Sequence, residues 1–164
     1  MFAAAFRTAA LVVCALSLGL SFAHLLEAPP RLWEWPADLW REATVFHGQY
    51  ALFAAVGGPV EILGVVLAAV VAALALPGRE RWTSAAASAA LYVAALAVWL
   101  LVVNAANGAM ADWRPGPLPA DFRDVQRRWE AGHAVMAFLK LAGFSALAWH
   151  VAGPRRLTVR TPSP

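Results

Sequence analysis

His24, His47 and His133, with Glu27, Glu61, Glu130 and Lys140, stand in or beside long apolar stretches. An ionisable side chain in such a stretch is costly, so it needs either a partner or a function. Imidazoles exchange protons near neutral pH and ligate metals when neutral. Glu61 and Lys140 have two readings. They are two buried charges that neutralise each other, or they belong to a proton path leading inward from an outer pocket. His24 and His133 are either members of that pocket or hydrogen-bonded packing histidines. His47 is either a member or a lone interfacial side chain, and His150 is read as meeting headgroups.

Spacing says which of these groups share a face. Gln126, Trp129, His133, Met136 and Lys140 recur at three- and four-residue steps, which is one stripe of a helix. Cys14, Ser17, Ser21 and His24 form another, with Glu27 one turn further on. Leu100, Asn104 and Asn107 form a third. His47 and Glu61 are fourteen residues apart, close to four full turns, and Ala54, Gly57, Gly58 and Gly64 lie on or beside that face. Small residues there let a neighbouring helix approach, and Pro59 predicts a kink.

These stripes need elements to carry them. The chain has 164 residues, 61% hydrophobic and only 14% charged. A soluble domain carries about a quarter charged residues. The apolar excess excludes a disordered chain and argues against a soluble catalytic domain, and the single Cys14 excludes a disulfide scaffold. Four segments have the roughly 20 apolar residues a span requires: about 8–26, 50–76, 85–103 and 134–152. The predicted fold class is all-α, an integral membrane four-helix bundle forming one domain, with a short interfacial helix between the first two spans, over Leu32 to Phe46.

Pro29-Pro30, Pro77-Gly78, Asn107-Gly108 and the run from Pro115 to Pro119 are expected to separate the spans, and Asp121 to cap the last helix. Arg7, the following apolar run and Ser21-Phe22-Ala23 also resemble a signal peptide; the preferred reading keeps this segment as the first span. The net charge of +3 lies largely on arginines near span ends, which argues against nucleic acid. Arginines divide evenly between the two sides. The terminal side has its positives in a short loop and tail, with Glu80 as its only acid, so both termini are placed in the cytoplasm of a bacterial inner membrane. Trp33, Trp35, Trp40, Trp113 and Trp129 read as an anchor belt at the outer headgroups. At that level every helix brings a polar group: His24 and Glu27, His47, Asn104 and Asn107, and Trp129, Glu130 and His133. A bundle would gather them around one pocket.

The stretches Ala23-His24-Leu25-Leu26-Glu27-Ala28-Pro29-Pro30, His47-Gly48-Gln49-Tyr50 and Arg128-Trp129-Glu130-Ala131-Gly132-His133 resemble the anthrone-oxygenase-like family of small four-helix membrane proteins. The last of these is similar to that family's W-x-x-x-H pattern. The family often has an arginine three residues after the histidine, where this chain has Met136. The resemblance implies a cofactor-independent oxidation of a lipophilic phenolic or quinol-like substrate. His133 would be the base and His24 a second base or proton acceptor. Asn104, Asn107 or Trp129 would stabilise an oxyanion, and Glu27 or Glu130 would orient a histidine. Two other functions compete. One is a haem or metal protein with His24, His47 and His133 as ligands. The other is a non-enzymatic accessory or scaffold subunit, with a membrane-complex partner or a second copy of itself.

Overall fold

The computed structural model describes residues 2–75 and 82–153. All regular structure among them is helical: α1 (Phe2–Trp33), α2 (Ala37–Arg41) followed by a π-turn (Glu42–Phe46), α3 (Ala51–Ala75), α4 (Trp82–Val98), a second π-turn (Trp99–Val103), α5 (Asn104–Ala111) and α6 (Phe122–Ala152). Four stretches are long and apolar enough to cross a membrane: Ala4–Trp33, Ala51–Ala75, Trp82–Ala111 and Phe122–Ala152. Large apolar side chains such as Leu52, Ile62, Leu74, Leu101 and Phe138 point away from the bundle, as lipid-facing residues do. The chain is an all-α integral membrane four-helix bundle.

The expected boundaries need three corrections. Pro29 and Pro30 lie inside α1, which runs seven residues past the predicted limit at Leu26. A proline removes one N–H from the helical ladder and crowds the carbonyl four residues back. Tertiary contacts of Arg31, described below, offset this. The third span does not stop at Val103, and Asn107-Gly108 lies within α5 rather than between spans. The last helix starts at Phe122, directly after the cap expected at Asp121, but its turns ahead of the membrane entry predicted at Ala134 are not solvated: they are buried in the bundle through Phe122, Val125, Gln126 and Trp129. Asp121 stands at its N-cap position, but its side chain makes no capping hydrogen bond. The second span matches to within a residue. Pro77-Gly78 and the arginines at 79, 81, 155, 156 and 160 lie outside the described residues.

The helices pack as a ring, α1 against α3 and α6, and α4 against the same two. Contacts run antiparallel along α1 and α6, from Ser21 with Lys140 to Arg31 with Glu130. Along α1 and α3 they run from Cys14 with Gly64 to Arg31 with Tyr50. The ends of α1 and of the third span therefore meet the starts of α3 and α6 at one end of the molecule, here called the distal end.

Glycines permit the closest approaches. A Cβ on Gly132 would stand 2.6 Å from Val103 Cγ2, and one on Gly143 would stand 3.0 Å from the Tyr92 ring. Val103 is fully buried and β-branched, so it has little freedom to yield. Gly132→Ala is expected to lower stability by about 1–3 kcal/mol through overpacking. Thermal unfolding in detergent micelles measures this, and an unchanged midpoint would show that the second π-turn yields to α6 without cost.

Candidate functional site

The distal site is built around Arg31. Continuing α1 through the two prolines places this guanidinium inside the bundle, where the residue is 1% exposed. Nη2 donates to Glu130 Oε2 on α6 at 2.8 Å and to the His24 carbonyl at 3.0 Å. Nη1 donates to Glu27 Oε2 at 3.0 Å, one turn back on α1, and to the Tyr50 hydroxyl. Tyr50 in turn donates to Glu27 Oε2 at 3.1 Å. The second oxygen of Glu130 accepts from Trp40 Nε1 at 2.9 Å, so α2 is clasped to the bundle. One cation thus ties together α1, α6 and the start of α3. The guanidinium carbon also lies 5.2 Å from the Tyr50 ring centre and 5.4 Å from that of Trp129, within cation–π range. Burial, strengthened by the Glu27 charge and opposed by Arg31, pushes the Tyr50 hydroxyl up to about 12, so it stays protonated at neutral pH.

Below this clasp two imidazoles stack. The rings of His24 on α1 and His133 on α6 are 4.1 Å apart and 20° from parallel. Aromatic rings enclose them. Phe53 lies 4.6 Å and Tyr50 4.8 Å from His24, and Trp129 lies 4.4 Å edge-on to His133. Trp129 Nε1 donates to Asn107 Oδ1 at 3.0 Å, which fixes the indole. Nδ1 of both histidines and Nε of Arg31 are buried without a hydrogen-bond partner among the described residues. Buried polar atoms are nearly always paired, so three bare nitrogens in one cluster mark it as a place where a ligand or water belongs. The imidazoles have the capacity to accept or donate one proton there.

Deeper in the bundle, Lys140 and Glu61 form a direct ion pair. Lys140 Nζ also donates to Ser21 Oγ at 2.7 Å, and Ser17 Oγ donates to Glu61 Oε2 at 3.0 Å. The polar stripe of α1 supplies both serines. Glu61 Oε1 has no partner among the described residues.

No protein-family model, curated protein or solved structure matches this chain.

Of the residues singled out by spacing, the fold brings His24, Glu27, Asn107, Trp129, Glu130 and His133 into one cluster, and Glu61 and Lys140 into contact. It leaves out two. His47 is 73% exposed and only 3.9 Å from Glu42 Oε2. It follows a π-turn, and the chain then reverses at Gly48, whose φ of 64° is the left-handed conformation glycine adopts readily. The helical count from His47 to Glu61 is therefore broken before α3 begins. Asn104 is exposed. The π-turn Trp99–Val103 puts one extra residue into its helix, and the buried positions step by seven from Ser88 to Ala95 but by eight to Val103. The face turns by about 100° for that residue, which rotates Leu100 and Asn104 outward.

The three imidazoles named as metal ligands are thus not assembled. Among the described residues no group of three His, Cys, Asp or Glu is placed to hold a metal. The tryptophan belt is also corrected. Trp33 is exposed, but Trp40, Trp113 and Trp129 are buried in the core; His150, expected among headgroups, is buried as well.

Arg31, Tyr50 and Trp40 were not foreseen as site residues. Glu27 and Arg31 are four apart, a helical ion-pair spacing that becomes visible only if the helix is carried through Pro29-Pro30.

Proposed function

We propose that the protein oxidises a lipophilic phenolic or quinol-like molecule at its distal end, as its resemblance to anthrone-oxygenase-like membrane proteins implies. The observation that supports this reading is the stacked His24–His133 pair, with bare nitrogens inside an aromatic enclosure. In this reading His133 takes a proton from an activated C–H or O–H of the substrate, and His24 relieves it of that proton. For a methylene activated by phenolic rings, the resulting carbanion adds dioxygen and a proton to give a hydroperoxide. Loss of the second C–H proton and cleavage of O–O then yield a ketone and one water. A quinol instead gives up two electrons and two protons to dioxygen, forming quinone and hydrogen peroxide. Trp129, held by Asn107, stacks beside the substrate. Arg31 lowers the energy of a developing oxyanion nearby. The same reading puts the termini in the cytoplasm of a bacterium and the site at the outer leaflet.

Oxygen uptake by the protein in lipid nanodiscs, with a panel of anthrones, naphthols and short-chain quinols, tests this. His133→Gln is expected to reduce the rate by about 10²–10⁴-fold while the unfolding midpoint stays near wild type. A Soret band or stoichiometric metal in the purified protein would instead assign the imidazoles as ligands. No uptake with any substrate, together with a protein partner retained through mild detergent extraction, would favour an accessory subunit. The mutual pairing of Arg31, Glu27 and Glu130 would then be glue for the bundle.

A further inference from the structure

We infer that Tyr50 and Glu27 form a proton port connecting the His24–His133 pair to the water at the distal end of the bundle. This rests on the reading of that pair as the proton-handling centre. The pair itself is closed in: His24 is 5% and His133 9% exposed, and Phe53, Tyr50 and Trp129 stand around them. Any proton taken from a substrate needs a way out. Tyr50 packs against His24 on one side and donates to Glu27 on the other. The Glu27 side chain is 45% exposed, whereas Glu130 is 3% exposed and saturated by Arg31 and Trp40. Glu27 is therefore the carboxylate of the cluster that reaches the surface of the bundle, six residues before α1 ends at the distal end.

The chemistry of the hydroxyl fits. Tyr50 Oη has one proton, given to Glu27, and two lone pairs, of which Arg31 Nη1 uses one. The other is free to accept. A proton leaving His24 Nδ1 passes to Tyr50 Oη, directly or through one water, as Tyr50 passes its own to Glu27, and Glu27 releases it to solution. No tyrosinate forms, in keeping with a hydroxyl that stays protonated at neutral pH. The charges also fit. Glu27 and Glu130 from α1 and α6 share the single guanidinium of Arg31, so one proton in transit leaves the cluster without net positive charge. The inward side offers a different route. Ser21 is one helical turn from His24 and is already bonded by Lys140.

The test reads proton exchange and needs no substrate. Full-length protein in nanodiscs, labelled with ¹⁵N-histidine, is taken through a rapid pH or deuterium-oxide jump, and the protonation of His24 and His133 is followed. Tyr50→Phe and Glu27→Gln are expected to slow exchange by about 10²-fold, and Ser21→Ala to leave it unchanged. Tyr50→Phe keeps the ring; if that variant fails to fold, Glu27→Gln, nearly isosteric, decides alone. Unchanged exchange in folded Tyr50→Phe or Glu27→Gln would overturn the port, as would slowing confined to Ser21→Ala. Slow exchange in Tyr50→Phe from a protein that consumes no oxygen with any substrate would uphold the port and sink the oxidase reading instead.

Discussion

Replacing Arg31 with methionine is expected to destabilise the bundle by about 3–5 kcal/mol, the range for breaking a buried ion pair from one side. The arginine is 1% exposed and Glu130 3%, so removal of the cation leaves a carboxylate in the protein interior with Trp40 Nε1 as its one remaining donor among the described residues. The loss should extend beyond that pair. Arg31 also holds Tyr50 and the end of α1, where Pro29 and Pro30 weaken the helix from within. Reversible unfolding in mixed micelles gives the number. The double variant Arg31→Met with Glu130→Met should recover most of it, because replacing both charges by apolar groups of similar volume removes the desolvation penalty as well. A loss below about 1 kcal/mol in the single variant would mean that water reaches these groups and that they behave as a surface pair.

The second large effect is expected at the membrane-buried pair. Lys140→Met should cost about 3–5 kcal/mol, since among the described residues Glu61 would keep Ser17 as its one donor. Adding Glu61→Leu should restore stability to near wild type. The comparison then separates the two readings of this pair. If the double variant is stable and keeps full oxygen uptake, the charges serve packing specificity between α1, α3 and α6. If it is stable but its turnover falls while substrate binding is unchanged, they carry protons. A double variant as unstable as the single one would place the loss in the serine network or in packing rather than in the charge.

The sequence by itself determined a good deal. Four spans follow from apolar length, because a bilayer leaves a helix few alternatives. The stripe Cys14, Ser17, Ser21 and His24 is buried along its whole length, and Trp129, His133, Met136 and Lys140 are buried on α6, since unbroken α-helix preserves a three- and four-residue count. Those two stripes face each other, and that is enough to bring His24 to His133 and Lys140 to Ser21. Where the helix is not regular α, counting fails. The π-turn at Trp99–Val103 rotates Asn104 outward, and the reversal at Gly48 turns His47 to the surface; neither departure has a local residue signal strong enough to read.

The tertiary structure alone decided the centre of the site. Local rules place a helix end at Pro29-Pro30, because proline lacks the N–H and crowds the preceding turn. Contacts from α6 and from the chain before α3 outweigh that preference and carry α1 on to Trp33, which moves Arg31 from an expected loop to the middle of a buried network. Tyr50 joins it through that cation and Glu27, and Trp40 through Glu130. Arg31 and Trp40 meet Glu130 from 99 and 90 residues away, and no pattern within one segment records such a distance.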